Sequence, residues 1–246
     1  MKKFIRHLLQ KMGYDIVKYQ APFVRGVADV AGLRKEYQWL QSYDFRTIVD
    51  IGANEGQFSD KVRALFPMAV IYAFEPLPDV FERLKNNFNY DQKYHAINLG
   101  LGERSDELEF YENEYSPSSS FLTHGDLLEE NFEGLSKTKK VKVKVDTLDN
   151  VFSTMEISHP LLVKIDVQGF EDKVISGGIN ILKKASMIIC EVSFVELYKG
   201  QLLFAEIFDK FRLLGFSYVG SIDQLRSPET NQILQADGIF IRKENA

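Results

Sequence analysis

The fold of this chain is decided by the segment Thr47-Ile-Val-Asp50-Ile-Gly52-Ala-Asn54-Glu-Gly56-Gln-Phe58. Its first five residues form a short β-branched run, which is typical of a buried strand. Two glycines follow, and residues 59–66 then carry apolar side chains at helical spacing until Pro67. A strand, a glycine-containing turn and a helix in this order are the repeating unit of an α/β sheet.

The same alternation continues along the chain. Apolar runs typical of strands lie at residues 70–74, 94–99, 161–167 and 187–192, and helical spacing recurs at 79–88, 171–175 and 202–214. These units predict a Rossmann-like, doubly wound α/β fold, with a mainly parallel seven-stranded sheet covered on both faces. Residues 216–220 and 238–242 are separated by too little chain for a helical crossover, so we expect antiparallel closing strands.

One stretch interrupts the alternation. Residues 107–111 predict an extra strand, and Ser116-Pro-Ser-Ser-Ser120 predicts a loop. Loops of this kind commonly build substrate pockets in α/β enzymes, so we expect this loop to lie beside a substrate pocket. Lys140, Lys142 and Lys144 alternate with valines, which predicts a solvated lysine face on an edge strand with the valines inward. Phosphate binding by these lysines is the alternative.

Composition excludes several classes of protein. Among 246 residues, 30 are basic and 35 acidic, a formal net charge of −5 that offers no long-range attraction to nucleic acid. We therefore expect no nucleic-acid partner. The single cysteine, Cys190, excludes an internal disulfide framework and a multi-cysteine zinc site, and it favours a cytoplasmic location.

We expect two regions: an N-terminal helical extension at residues 1–44 and the main catalytic domain at residues 45–246. Apolar side chains at positions 4, 5, 8, 9 and 12 share one helical face, which predicts a helix packed on that domain. Peripheral contact of residues 2–12 with a membrane surface is the alternative. No run approaches the roughly 18 apolar residues that a transmembrane helix needs, so none is expected.

Acidic residues follow several of the predicted strands, namely Asp50, Glu75, Asp166 and Glu191. In an open α/β sheet, ligands bind beyond the carboxyl ends of the strands, so these residues predict one site. The loop after the first strand reads G-x-x-x-G rather than the G-x-G-x-x-G of dinucleotide sites, and Glu55 is expected to repel a diphosphate. A ligand without phosphates but with cationic groups, such as S-adenosylmethionine, fits better.

Glu75 ends the second predicted strand about 20 residues beyond the glycines, where a carboxylate can accept both hydroxyls of a ribose. Gly52 permits a tight turn, and Gly56 is expected to let the helix approach the sheet. The predicted cofactor-binding residues are Asp50, Gly52, Asn54, Gly56, Glu75, Pro76, Asn98 and Asp166.

Four motifs in this order resemble the FkbM family of methyltransferases. They are Asp50-Ile-Gly-Ala-Asn-Glu-Gly56, Phe74-Glu-Pro76, Asp146-Thr-Leu-Asp149 and Val163-Lys-Ile-Asp-Val-Gln-Gly-Phe-Glu171. The resemblance covers residues 45–242, and the last motif is the most selective. It implies an S-adenosylmethionine-dependent methyltransferase. Gln168 stands where family members often carry Glu, which removes one potential carboxylate.

Asp166, Lys164 and Glu171 are the predicted catalytic residues. Lys164 and Asp166 are two apart on a strand and share a face, so Lys164 can tune the charge of Asp166 as a base or acceptor-orienting group. Glu171 begins the next helix, where a capping role is the alternative. Glu191 and Asp237 are weaker candidates for the base, and His124 could approach the acceptor. A divalent metal stays an open question, and no metal ligand is assigned.

The resemblance implies O-methyl transfer to a hydroxyl of a saccharide or related metabolite, so the expected partner is a small-molecule or glycan acceptor. A non-catalytic S-adenosylmethionine-binding module and a small-molecule N-methyltransferase remain alternatives. A nicotinamide-dependent reductase is disfavoured, because the Tyr-x-x-x-Lys pair, Tyr14 and Lys18, precedes the glycine loop. A nucleic-acid base methyltransferase is disfavoured by the missing Asn/Asp-Pro-Pro-aromatic motif.

Overall fold

The computed structural model of this chain describes residues 35–113, 119–131 and 138–242. The strands are β1 (Thr47–Ile51), β2 (Val70–Phe74), β3 (Tyr94–Ile97), β4 (Gly100–Leu101), β5 (Asp106–Asn113), β6 (Thr138–Asp146), β7 (Leu161–Ile165), β8 (Met187–Ser193), β9 (Phe216–Arg226) and β10 (Ile233–Arg242). The helices are α1 (Lys35–Gln38), α2 (Gln57–Leu65), α3 (Pro78–Asn87), α4 (Asp126–Asn131), α5 (Leu148–Val151), α6 (Glu171–Gly177), α7 (Ile179–Leu182) and α8 (Phe204–Leu213), and a 3-10 turn spans Trp39–Ser42. None of these helices is long and apolar enough to cross a bilayer.

Seven strands form the main sheet, in the order β3-β2-β1-β7-β8-β10-β9. The five strands from β3 to β8 run parallel to their neighbours, whereas β10 is antiparallel to both β8 and β9. This confirms the predicted doubly wound sheet and its antiparallel closing strands. Those two strands are longer than predicted, because the polar residues of the hairpin continue the backbone ladder beyond the apolar stretches that periodicity detects.

Both faces of the sheet are covered. All five residues of β1 are buried. Val49 and Ile51 pack in one core cluster, and Ile48 packs in the other. Tyr37 and Leu40 belong to the cluster around Ile48, so the packing of the domain begins before residue 45. The predicted helix within residues 1–34 lies outside the described residues, and the division at residue 44 stays a proposal.

The interrupting segment forms a second sheet of three strands, in the order β4-β6-β5. The predicted inward valines include Val143 and Val145, which are buried. On the opposite face, Lys140 lies 2.9 Å from Glu109 of β5, and Lys142 lies 3.5 Å from Glu107. Lys140 and Lys142 are therefore partnered by glutamates, and β6 lies between two strands at its carboxyl end rather than at an edge.

Candidate active site

A cavity of about 380 Å³ lies beyond the carboxyl ends of the parallel strands. Its lining includes the four strand-end carboxylates that the sequence placed in one site, Asp50, Glu75, Asp166 and Glu191. The further predicted cofactor residues that line it are Gly52, Asn54 and Pro76. Residues from the small sheet and its loop also contribute, namely Phe110, Ser119 and Phe121. The volume is within the usual range for small-molecule sites.

The loop after β1 brings two strand ends into contact. Gly52 has a φ of +79°, and an added Cβ would lie 1.8 Å from the carbonyl oxygen of Asp166. Only glycine permits both the positive φ and this close approach. Asn54 also has a positive φ, of +49°, and its backbone N–H donates to the carboxylate of Glu75 at 3.0 Å. The loop therefore fixes the positions of both Glu75 and Asp166.

Two predicted cofactor residues, Gly56 and Asn98, are absent from the described lining of the cavity. An added Cβ on Gly56 would lie 2.3 Å from the ring of Phe88, so this glycine allows contact with the end of α3 rather than with the sheet. Asn98 donates to the backbone carbonyls of Glu75 and Pro76, at 2.9 and 3.0 Å. Its contribution to a cofactor site is thus to brace the end of β2.

The prediction that Glu55 repels a diphosphate is wrong, because its carboxylate is turned toward Arg83. Its carboxylate lies 2.7 Å from the guanidinium of Arg83, and both side chains are nearly half exposed. Glu55 is absent from the described lining of the cavity. The charge of Glu55 is directed at α3, so it says nothing about the ligand.

Glu75 and Asp50 are buried carboxylates that contact no ammonium or guanidinium of the described residues. Glu75 accepts hydrogen bonds from the backbone N–H groups of Asn54 and Leu77, at 3.0 and 2.9 Å. Asp50 accepts from the hydroxyl of Ser59 at 2.7 Å. Burial raises the pKa of Glu75 to about 7 and the pKa of Asp50 to about 6, and these hydrogen bonds offset only part of the effect.

Lys164 lies at the centre of the other half of the cavity. It is 3% exposed, and its ammonium lies 3.1 Å from Asp166 and 2.8 Å from Asp237. Although burial alone would raise the pKa of Asp166, the charge of Lys164 holds that pKa below its ordinary value. The side chain of Asp166 is 33% exposed. An ionised carboxylate at the strand end is therefore accessible from the cavity.

Gln168 connects Asp166 to Glu191. Its amide nitrogen donates to a carboxylate oxygen of each residue at 2.8 Å, and the hydroxyl of Tyr198 donates to its amide oxygen at 2.7 Å. Burial, together with the nearby Asp166 and Glu171, raises the pKa of Glu191 well above its ordinary value. Gln168 has a φ of +54°, and its carbonyl accepts from Ser120 at 2.6 Å. Sequence reasoning noticed this position only as a missing carboxylate.

Glu171 and His124 do not face the cavity with the other candidates. Glu171 is the first residue of α6, and its buried carboxylate accepts from the backbone N–H groups of Val167 and Gly169 at 3.1 and 3.2 Å. This geometry favours a structural role, in which Glu171 holds the loop between β7 and α6, over the predicted catalytic role. His124 is 9% exposed and packs against the ring of Tyr198. It supports Tyr198 rather than meeting the acceptor.

Sequence reasoning missed one wall of the cavity, formed by Tyr37, Lys61 and Asp223. These residues come from α1, α2 and β9 and meet through hydrogen bonds among their side chains. No local motif signals this contact, because it joins residues 24 to 186 positions apart.

The described residues contain no group of three or more His, Cys, Asp and Glu side chains arranged to hold a metal ion. Asp166 and Glu191, the two oxygen ligands considered from the sequence, instead share the amide of Gln168. No metal step is therefore assigned to these side chains.

The sheet order, the glycine loop after β1 and the carboxylate at the end of β2 define the Rossmann-like fold of class I methyltransferases. The sequence model of the family described as "Methyltransferase FkbM domain" matches residues 50–218. The chain therefore belongs to the FkbM family of S-adenosylmethionine-dependent methyltransferases. This membership excludes the nicotinamide-dependent reductase.

Curated relatives carry the same activity in their names. The 2-O-methyltransferase NoeI of Sinorhizobium fredii is 29% identical over 66% of this chain and 69% of its own length. The hexuronic acid methyltransferase AglP of Haloferax volcanii is 28% identical over 69% of this chain and 63% of its own. The chain thus spans about two thirds of these relatives. A solved FkbM methyltransferase from Methylobacillus flagellatus is 11% identical, with a TM-score of 0.49 over 80% of this chain and 44% of that one.

The residues present fit S-adenosylmethionine. Glu75 is a buried carboxylate that lines the cavity, with its position fixed by two backbone N–H groups, and it would accept the ribose hydroxyls. Leu77, Phe110 and Phe121 share one apolar cluster and line the cavity, which suits a purine ring. Asp50 suits the cationic groups of the methionine portion. The positive N-terminus of helix α2 lies at the same loop and suits the carboxylate of that portion.

Proposed function

We propose that this protein transfers a methyl group from S-adenosylmethionine to a hydroxyl of a saccharide or a related polyhydroxylated metabolite. The observation that carries this proposal is the position of Asp166, an ionised and accessible carboxylate at the end of β7. A hydroxyl acceptor has a proton to lose, and Asp166 provides a group to take it. The name of NoeI supports transfer to an oxygen, and the name of AglP supports a saccharide as the acceptor.

S-adenosylmethionine supplies an electrophilic methyl group on a sulfonium when it is bound. The chain orients the acceptor oxygen toward that methyl group and holds the donor and acceptor together, which is the larger part of the rate enhancement for a strong electrophile. The acceptor oxygen would form its bond to the methyl carbon as the bond from that carbon to the sulfonium sulfur breaks, which releases S-adenosylhomocysteine, and the acceptor's proton would pass to a carboxylate oxygen of Asp166.

Lys164 and Gln168 prepare Asp166 for this step. The ammonium of Lys164 keeps the carboxylate ionised, and the amide of Gln168 fixes one of its oxygens at 2.8 Å. Both groups are themselves held in place, Lys164 by Asp237 and Gln168 by Tyr198. A base with a fixed orientation needs little reorganisation during proton transfer.

The test is a screen of methyl transfer from methyl-¹³C-labelled S-adenosylmethionine to a panel of glycans and methyl glycosides, with the product identified by NMR. We expect an O-methyl signal with the wild type and a rate about 10²–10⁴-fold lower with Asp166→Asn. Asp209→Asn, on the exposed face of α8, serves as the matched control and should retain the full rate.

An N-methyl product, or transfer that Asp166→Asn leaves unchanged, would contradict the proposal. Calorimetry with S-adenosylmethionine shows in parallel that the variant still binds the methyl donor. Binding of the donor without transfer to any acceptor in the panel would favour the non-catalytic binding module instead.

A further inference from the structure

The wall formed by Tyr37, Lys61 and Asp223 has no part in the steps described above. The ammonium of Lys61 lies 3.1 Å from the hydroxyl of Tyr37 and 3.2 Å from the carboxylate of Asp223, and the Tyr37 hydroxyl donates to the same carboxylate. Lys61 also lies over the Tyr37 ring, 4.4 Å from its centroid. Tyr37 is buried, whereas the side chains of Lys61 and Asp223 are 29% and 22% exposed and line the cavity.

The backbone is shaped to place Asp223 in this wall. The pairing of β9 with β10 passes from Ile222 opposite Asp237 to Gln224 opposite Ala236, so Asp223 forms a bulge. Its φ is +45°, a conformation that costs free energy for any residue other than glycine. Bulges often redirect a side chain beside an active site. Here the bulge directs a carboxylate toward Lys61 instead of continuing the ladder.

The strand order separates this wall from Glu75. Glu75 ends β2, next to one edge of the sheet, and Asp223 belongs to β9, at the opposite edge. Asp166 directly follows β7, and Glu191 lies in the second half of β8. Both strands lie between these two positions in the sheet. If the nucleoside of the methyl donor is held at Glu75, Asp223 lies on the far side of Asp166 in the strand order, and Lys61 reaches Asp223 from α2, the helix after β1. This position leaves the carboxylate of Asp223 to the acceptor.

The charged side chains that line the cavity bear on the charge of the acceptor. Two cationic side chains occur among the described residues that line the cavity, Lys61 and Lys164, and each already contacts a carboxylate. The carboxylic residues in the same lining are Asp50, Glu75, Asp166, Glu191, Asp223 and Asp237. An anionic ligand would meet this excess of carboxylates, and the sulfonium of the methyl donor would offset only part of it.

We propose that Lys61 and Asp223 form a clamp for adjacent hydroxyls of an uncharged saccharide, and that the site disfavours a uronic acid. The carboxylate accepts hydroxyl protons, and the ammonium donates to the hydroxyl oxygens. A carboxylate offers about four acceptor positions, so Asp223 can receive ligand hydroxyls while it retains Tyr37 and Lys61. This inference rests on the proposed transfer to a saccharide hydroxyl and specifies the charge of that saccharide.

The experiment uses saturation-transfer NMR with the full chain in the presence of S-adenosylmethionine. The probes are the methyl glycosides of glucose, galactose and mannose, each compared with its own uronic acid. For the wild type, we expect at least one neutral glycoside to bind about tenfold more tightly than its uronic acid. Methyl transfer to the same six probes is measured in parallel.

Variants of the clamp separate recognition from folding. Asp223→Asn releases the ammonium of Lys61 from its partner, so binding of the uronic acid should strengthen and binding of the neutral glycoside should weaken. Lys61→Met should weaken binding of the neutral glycoside without any gain for the uronic acid. A purely structural role would not produce opposite changes for two ligands. Asp209→Asn is the control, and the affinity for S-adenosylmethionine checks that each variant is folded.

Two results would overturn the inference while the proposed function stands: a uronic acid that binds and is methylated at least as well as its neutral counterpart, or an Asp223→Asn selectivity equal to the wild type. If none of the six probes binds or is methylated while S-adenosylmethionine binds, both the inference and the saccharide acceptor are overturned together.

Discussion

We propose that the end of the cavity at β1 and β2 binds the methyl donor (the donor end) and that the end at β7 and β8, with Lys61 and Asp223, binds the acceptor (the acceptor end). Both ends are built from carboxylates but hold them differently. At the donor end, hydrogen bonds from a hydroxyl and from backbone N–H groups contact Asp50 and Glu75, and burial raises their pKa values to about 6 and 7. At the acceptor end, Lys164 contacts Asp166 directly and holds its pKa low.

Because their surroundings differ, carboxylates in one cavity can take two roles. A carboxylate whose pKa burial has raised suits binding, because the ligand hydroxyls then stabilise its ionised form. A carboxylate that an ammonium keeps ionised suits proton uptake. The residue that separates the two cases is Lys164, which is buried in the strand next to β1 and pairs in register with Asp50.

Replacing Lys164 should have the largest effect, because it removes this difference. Lys164→Met leaves the mostly buried Asp237 and the partly exposed Asp166 without their cation, which should lower the free energy of unfolding by about 3 kcal/mol at neutral pH. The loss should be smaller near pH 4, where the carboxylates can take up protons. Urea unfolding at both pH values measures the effect.

Lys199→Met is the control for that experiment, because Lys199 forms an exposed ion pair with Asp126. Exposed pairs contribute roughly 0–1 kcal/mol, so this variant should unfold almost like the wild type. Equal destabilisation by the two variants would show that the buried ammonium is not what holds the acceptor end together.

At the donor end, Glu75→Ala should weaken binding of S-adenosylmethionine by about 1–3 kcal/mol, since a charged hydrogen-bond partner of the ribose is lost. Calorimetry measures the affinity, and Glu82→Ala, on the exposed side of α3, is the control. An affinity equal to that of the wild type would mean that Glu75 does not hold the ribose.

Gln168→Glu should have a smaller effect that is confined to the acceptor end. A third carboxyl group between Asp166 and Glu191 raises the pKa of Asp166, so the pH profile of methyl transfer should move upward by about one unit. Gln224→Glu, on the exposed part of β9, should leave the profile unchanged. A profile that does not move in Gln168→Glu would separate Gln168 from the ionisation of Asp166.

The donor end was predictable from the sequence, because its parts are close together along the chain. The loop after β1 and the end of β2 are each read from a short motif, and parallel strands bring their carboxyl ends to one edge. Lys164 and Asp166 were predicted to share a face for the same local reason, and the structure places them 3.1 Å apart. Glu55 shows the limit, because sequence position did not reveal its turn toward Arg83.

The acceptor end was only partly predictable. Lys61 and Asp223 are 162 residues apart, and their contact depends on a bulge that apolar periodicity does not register. The role of Gln168 depends on the direction of its amide, which Tyr198 fixes from 30 residues away. Long-range side-chain contacts of this kind depend on how the sheet and its closing hairpin are arranged in space, which no local pattern of the sequence describes.

The most direct test is an NMR titration of the side-chain carboxyl carbons of Glu75 and Asp166 from pH 4 to 8, with and without S-adenosylmethionine. Without the ligand, Glu75 should titrate near pH 7, and Asp166 should stay ionised across the range. Added S-adenosylmethionine should lower the pKa of Glu75, because ribose hydroxyls favour its ionised form. A Glu75 titration that ignores the ligand, or an Asp166 that titrates near neutrality, would contradict the division of the cavity into a donor end and an acceptor end.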